Sequence, residues 1–186
     1  SDAVDSAQSR NESSTESSTE ISSTEESVAD AVPSHIQTVP LSDYDLDYSR
    51  PIGDGSGCIC YKCVEKKTGR NLCAKVFRDK DGQMPASGES IVAEFMTLRA
   101  ARQVPNTVNV AALACGHPKT GGKDLVMIME LCGGGDLMTW MMDEECAVSE
   151  ADAKILFREV LRTVHGLHEI GVLHRNIQPE NIVLFA

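Results

Sequence analysis

The stretch GDGSGC, running through Gly53, Asp54, Gly55, Ser56, Gly57 and Cys58, places three glycines in six residues. Glycine has no Cβ, so backbone N–H groups there approach phosphate oxygens without a side chain in the way. Lys75 follows Gly53 by 22 residues and supplies a compact cation for the same phosphates. Glu94 follows Lys75 by 19 residues, and a carboxylate there holds the ammonium in place through a charge-assisted hydrogen bond. Singly, these features read as a hairpin turn, a solvated lysine and a solvated glutamate. Jointly they describe an anion cradle with a positioned cation. A second constellation, Cys58, Cys60 and Cys63, contains the C-x-x-C spacing of CYKC. A zinc site needs two more ligands at matching spacing. None follows, so these thiols read as small, moderately apolar strand residues.

The elements that must hold this chemistry are legible from periodicity and turn signals. YDLDYSRPIGDGSGCICYKCVEKKTGRNLCAKVF reads as strand, Gly-rich turn, strand, turn, strand, with KKTGRN as the second turn. A strand rather than a helix follows the glycines, which disfavours a dinucleotide fingerprint. ESIVAEFMTLRAARQV changes to helical period, with Ile91, Phe95, Leu98 and Arg102 on one stripe and Val92 and Met96 beside it. VNVAALAC and DLVMIMEL are two further strands, joined by the polar loop GHPKTGGK, and GGGDLMTWMM starts a short helix. SEADAKILFREVLRTVHGLHEIG is a helix with Ser149 as N-cap and Asp152 at the acidic position of a capping box. Leu156, Val160, Val164 and Leu167 make its apolar stripe, and Gly171 suits the residue after its end. The order β-β-β-α-β-β followed by helices is an α+β arrangement.

Charge divides the 186 residues unevenly. Residues 1–48 hold 11 acids and one base, Arg10, whereas residues 49–186 hold 17 acids and 16 bases. The acidity of the net −11 chain therefore belongs to its N-terminal part. Residues 1–40 repeat an ESST unit and have too little apolar surface to offset the entropy of ordering, which predicts a disordered, solubilising tail. Ser13, Ser17 and Ser22 each have a glutamate three positions later, a pattern acid-directed kinases modify. The near-neutral remainder, residues 41–186, has no basic face for nucleic acid. There is no apolar run of about 18 residues for a membrane span and no leader-type apolar segment. Seven cysteines, an odd number, read as reduced thiols, and the expected location is intracellular, cytoplasmic or nuclear.

From Tyr44 to Ala186 the sequence resembles the first part of a eukaryotic protein kinase domain of the Ser/Thr type. It is most similar to the calcium/calmodulin-dependent group and to the C-terminal kinase domains of the ribosomal and mitogen-and-stress-activated kinases. IGDGSGCICYKCVEKKTG, LCAKVF, AEFMTLRA, VMIMELCGGGDL and GVLHRNIQPEN carry the resemblance, in order and at suitable spacing. It implies a five-stranded antiparallel N-lobe sheet with the αC helix over 44–130, a hinge over 130–136 and the first C-lobe helices over 137–186. It implies ATP and Mg²⁺ as cofactors, and a protein substrate or regulatory protein as partner. Ile52, Cys60 and Cys73 would then cover the adenine, with Val183 as its floor. Met129 matches the gatekeeper, Glu130 and Cys132 the adenine-binding backbone, and Asp136 a ribose contact. Asn181 matches the magnesium-binding Asn, and Leu98, Val110 and His174 match members of the spine that joins the lobes.

The same comparison exposes departures. Asn176 stands where the family has the Asp that accepts the substrate hydroxyl proton, and Gln178 where it has a Lys near the transferred phosphoryl group. An amide has neither useful basicity nor charge, and general-base help is worth roughly 10²–10⁴ in rate. Gly57 takes the usual aromatic position of the Gly-rich loop and Cys58 its third glycine. The chain ends at Ala186, before any DFG or APE. A truncated domain is therefore expected, inactive or severely impaired as a phosphotransferase. It would act as a pseudokinase or kinase fragment that binds nucleotide or protein. The face of the helix over 150–170 is expected to lack part of its cover, giving marginal stability or a covering partner.

Overall fold

A computed structural model describes residues 32–55, 57–77, 88–116, 124–143 and 148–185. Residues 1–31 of the tail expected over 1–40, Ser56, and most of the GHPKTGGK loop lie outside the described residues, whereas residues 32–40 are described and bury Ile36. Among the described residues, six strands form one sheet: β1 (Val39–Pro40), β2 (Tyr44–Gly55), β3 (Cys58–Glu65), β4 (Asn71–Phe77), β5 (Val110–Cys115) and β6 (Leu125–Glu130). Their order is β1-β5-β6-β4-β3-β2. The five long strands pair antiparallel, as the α+β reading requires. The sheet nevertheless has six strands rather than five. Val39 and Pro40 add to β5 in parallel, opposite Ala114 and Cys115. Leu41, which follows at once, is buried, and its Cβ lies 3.1 Å from the position a side chain on Gly116 would take. That packing draws the preceding backbone onto the otherwise unpaired edge of β5. Two residues ending in proline carry no strand period, which is why this edge was not legible.

The sheet buries both faces. Phe77, Leu113, Leu125 and Met127 face helix α1 (Gly88–Ala101), which contributes Ile91, Val92 and Phe95. Ile36 joins this cluster, so packing reaches ahead of β1. Leu41, Tyr44, Cys63, Leu72, Ala74, Val126 and Ile128 form the cluster on the other face. Each large core side chain contributes about 1.5–3 kcal/mol relative to exposure. The helical stripe holds for Ile91, Phe95 and Leu98, with Val92 beside it. Met96 is 39% exposed, and α1 ends at Ala101, so Arg102 falls beyond the helix and outside the stripe.

After β6 come α2 (Leu137–Met142), α3 (Glu150–Glu169) and one short 3-10 turn, Pro179–Asn181. Ser149 caps α3 by accepting the Asp152 N–H, and its hydroxyl donates to the Asp152 carboxylate at 2.6 Å. Gly171 takes φ +74° just past the helix end, a conformation that favours glycine. The α1–β5 loop docks on α3. Ala101, Val104 and Leu167 pack together, with Val104 so near Gly166 that an added Cβ would stand 2.9 Å from it. Asn106, at φ +60°, donates to Glu159 and Thr163, and the Thr163 hydroxyl donates to the Pro105 carbonyl at 3.1 Å. Of the predicted α3 stripe, Leu167 is buried and Leu156, Val160 and Val164 are half-buried. Phe157 and Leu161 stay 63% and 53% exposed. No helix among the described residues is long and apolar enough to cross a membrane.

Candidate nucleotide site

Lys75 sits on β4, an interior strand, where its Nζ lies 2.5 Å from Glu94 Oε1 on α1. Two elements far apart in sequence are needed to make this contact. β4 fixes the lysine by pairing with β3 and β6, and α1 fixes the glutamate by burying Ile91 and Phe95 against the sheet. The ammonium also lies 5.0 Å from the Phe77 ring centroid. Burial disfavours the Lys75 charge, but the hydrogen bond and charge of Glu94 outweigh it and hold its pKa above the ordinary lysine value. The ammonium is therefore both charged and held in one place. Phe77 follows Lys75 by two residues, so strand alternation puts both on one face.

Gly53, Asp54 and Gly55 belong to β2, not to a wide turn. Gly53 pairs with Cys60, Asp54 with Ile59 and Gly55 with Cys58, so all three lie in the ladder. Extended pairing leaves both glycines without side chains on the Lys75 face. A Cβ on Gly53 would meet Cys60 Cβ at 3.7 Å, so glycine leaves the space above that strand clear. Ile52 and Gly57 are exposed and Cys58 is half-buried. Cys60, Cys73, Lys75 and Met129 share the Lys75 face by register: Cys60 opposes Lys75 and Cys73 opposes Met129.

The segment after β6 is held by a short ladder. Gly134 N–H donates to the Leu184 carbonyl, Leu184 N–H to the Gly135 carbonyl and Leu137 N–H to the Ile182 carbonyl, each at 2.8 Å. Asp136 thereby opposes Val183 across an antiparallel bridge. Gly134 is required by this approach, because a Cβ there would come within 2.9 Å of the Leu184 carbonyl oxygen. Asp136 also caps α2, accepting the Thr139 N–H and hydroxyl, each at 2.8 Å. The bond from the Thr139 N–H, then that from its hydroxyl, holds the Asp136 carboxyl below its ordinary pKa. Glu130 turns its carboxylate to Asn109, accepting the Asn109 N–H at 2.7 Å, while its own N–H donates to the Asn109 carbonyl. Neither the Gly134 contact nor the Asn109–Glu130 clamp has a signature at short sequence range. Cys132 is half-buried beside them.

The loop before the 3-10 turn is exposed from Leu173 to Gln178. Asn181 Nδ2 donates to the Asn176 carbonyl at 2.9 Å, which leaves the Asn181 amide oxygen for another partner. Arg175 takes φ +62°. Asn176 N–H reaches His174 Nδ1 at 3.4 Å, and Gln178 stands at the head of the 3-10 turn. Leu98 and Val110 pack on the core, but His174 is exposed, because no described element covers this loop. Among the described residues, no group of three or more His, Cys, Asp or Glu is arranged to hold a metal ion.

Comparison with known proteins agrees with this geometry. The chain is 28% identical over 151 residues to serine/threonine-protein kinase 17A of Oryctolagus cuniculus, covering 80% of this chain and 36% of that protein. It is 31% identical over 143 residues to calcium-dependent protein kinase 29 of Arabidopsis thaliana, covering 77% and 25%. Against human myosin light chain kinase 2, skeletal/cardiac muscle, identity is 28% over 143 residues, covering 76% and 22%. The chain thus spans about a third or less of the length of these relatives. Residues 46–185 match the protein kinase domain, and the chain belongs to that family.

Proposed function

We propose that this chain binds ATP on the Lys75 face of the sheet and that its loop at 174–181 is unsuited to efficient phosphoryl transfer, making it a nucleotide-binding or protein-interaction module of the kinase type. The observation that carries the nucleotide reading is the Lys75–Glu94 pair at 2.5 Å on the face kept clear by Gly53 and Gly55. In this reading Lys75 holds phosphate oxygens, and residues 53–58 cover them. Ile52, Cys60 and Cys73 lie above the adenine and Val183 below it. Met129 borders the adenine pocket, Glu130 and Cys132 present backbone groups, and Asp136 meets the ribose. The three sections would be a sheet lobe over 44–130, a hinge over 130–136 and a helical lobe from 137.

The donor set fits a nucleotide: a charged ammonium beside strand backbone free of side chains. Asn181 offers a magnesium ion one neutral oxygen. The ion, when bound, neutralises phosphate charge, and the nucleotide's own oxygens must supply most of its ligands. Asn176 cannot take a proton from a hydroxyl, and Gln178 brings no positive charge to the phosphoryl path. The six described cysteines are free thiols, which suits an intracellular setting.

ATP with magnesium should raise the melting temperature of the full chain and leave Lys75→Met nearly unmoved. Absence of a shift in both proteins would sink the nucleotide reading. A second reading, transfer of the ATP γ-phosphoryl group to protein Ser/Thr as part of a longer active protein, is favoured by the intact Lys75–Glu94 pair and Asn181. Asn176→Asp tests it in the longest form of the protein: a gain in phosphotransfer supports the assigned role of position 176, and equal rates contradict it.

A further inference from the structure

The segment from Val32 to Leu41 is built into both faces of the core. Ile36 is 6% exposed and shares one cluster with Ile91, Val92 and Phe95 of α1 and with Leu113, Leu125 and Met127 of the sheet. Val32 packs against the same cluster. Leu41 is buried on the opposite face, with Tyr44, Ala114 and Val126. Between these anchors, Val39 and Pro40 lie along the outer edge of β5, beside Ala114 and Cys115. The segment therefore passes over the sheet edge with an apolar side chain fixed on each side. Its sequence also makes it stiff. Pro33 and Pro40 fix their own φ and steer Val32 and Val39 away from helical backbone. The Ile36 N–H donates to the Pro33 carbonyl at 2.9 Å, which closes a turn at the first anchor.

We infer that Val32–Leu41 is a strap that seats α1 where Glu94 meets Lys75, with Ile36 as a positioning residue for that pair. The effect on nucleotide rests on the reading above; the effect on the ion pair does not. Glu94 is the neighbour of Phe95 and stands three residues after Ile91, so the cluster that seats those two side chains also sets where the carboxylate stands. α1 packs over β5 and β6. Lys75 is on β4, on the far side of β6, so Glu94 reaches inward across the sheet to meet it. The strap closes the other side of the seat, at the outer edge of β5. It is placed to stop α1 from sliding outward, away from β4.

Little outward movement is tolerated. The Nζ–Oε1 distance is 2.5 Å, and a displacement of about 1 Å takes it out of hydrogen-bond range. A close-packed core answers the loss of a buried side chain with a shift or a cavity. Removing the Ile36 side chain therefore loosens the seat of α1 from the side opposite Lys75.

The test measures the Lys75–Glu94 coupling in the full chain by a double-mutant cycle in urea, with Ile36 intact and with Ile36→Ala. ATP is titrated into the same proteins. The coupling should fall by about half or more in Ile36→Ala. Affinity for ATP should weaken about threefold or more in Ile36→Ala, with no further loss when Ile36→Ala is added to Glu94→Gln. Ile36→Val, which keeps most of the side chain, should show the same changes at smaller size, and it carries the cycle if Ile36→Ala does not fold. A strap that served only stability would lower the unfolding midpoint and leave the coupling intact, and that result would overturn the inference. So would an equal loss of affinity with and without Glu94, or a lost coupling with unchanged affinity in a chain that binds ATP. If the coupling falls but the unsubstituted chain binds no ATP, the nucleotide reading fails and the hold of the strap on Glu94 stands.

Discussion

Separating Lys75 from Glu94 should cost stability in a coupled, pH-dependent way. Across 2.5 Å, two unit charges attract by about 1.7 kcal/mol in bulk water and about 6.6 kcal/mol at an effective dielectric of 20. Burying the lysine and fixing two long side chains offset most of that. The Glu94 side chain is 40% exposed, so solvent screening reduces the remainder. A net coupling of about 1–2 kcal/mol is expected, between a screened surface pair and a charge-assisted bond. Lys75 also contacts Phe77, so Lys75→Met alone loses more than the ion pair. The double-mutant cycle with Glu94→Gln isolates the coupling. In urea unfolding, each single variant should lose stability and the double variant should lose less than their sum. The corresponding drop in melting temperature is about 3–6 °C. Because the folded state raises the Lys75 pKa, the contribution is fully present below the ordinary value of 10.5. It is lost as pH rises through the higher folded-state value. The gap between wild type and Lys75→Met should therefore stay level from neutral to mildly alkaline pH and narrow only beyond that. Additive single losses, or a gap that narrows already at neutral pH, would refute the argument.

Other contacts give further expectations. Gly134→Ala places a Cβ against the Leu184 backbone and should cost about 1–3 kcal/mol in urea unfolding, with weaker nucleotide binding, because Val183 moves with that ladder. Asn106→Val forces a β-branched residue to φ +60° and should cost about 1–2 kcal/mol, while Asn106→Gly loses only two bonds of 3.4 Å and should cost less. Phe157→Glu with Leu161→Lys should reduce dye binding and self-association with little change in unfolding midpoint, since both side chains are more than half exposed.

Local signals carried most of the frame. The capping box at Ser149 and Asp152, the glycine after α3, the turn at Gly69 and the strand-to-helix change of period each act within a few residues, and each is found in place. The Lys75–Glu94 contact was legible from a lysine on a strand and a glutamate on the following helix, read together with the glycines before them. What escaped reading depends on distant backbone. The edge strand β1 has no period of its own, and the Gly134–Leu184 approach joins segments 50 residues apart in numbering. The Asn109–Glu130 clamp likewise needs β5 and the end of β6 to be side by side. Position 176 is the opposite case, where the residue type alone carries the proposed role and the fold adds a partner, Asn181.

Calorimetric titration of ATP into the full chain, with and without magnesium and repeated on Lys75→Met, tests the central claim most directly. Saturable one-to-one binding by the wild-type chain, weakened at least about tenfold by the substitution (1.4 kcal/mol), is the predicted result. No heat of binding at millimolar nucleotide, or equal affinity in the two proteins, would contradict it.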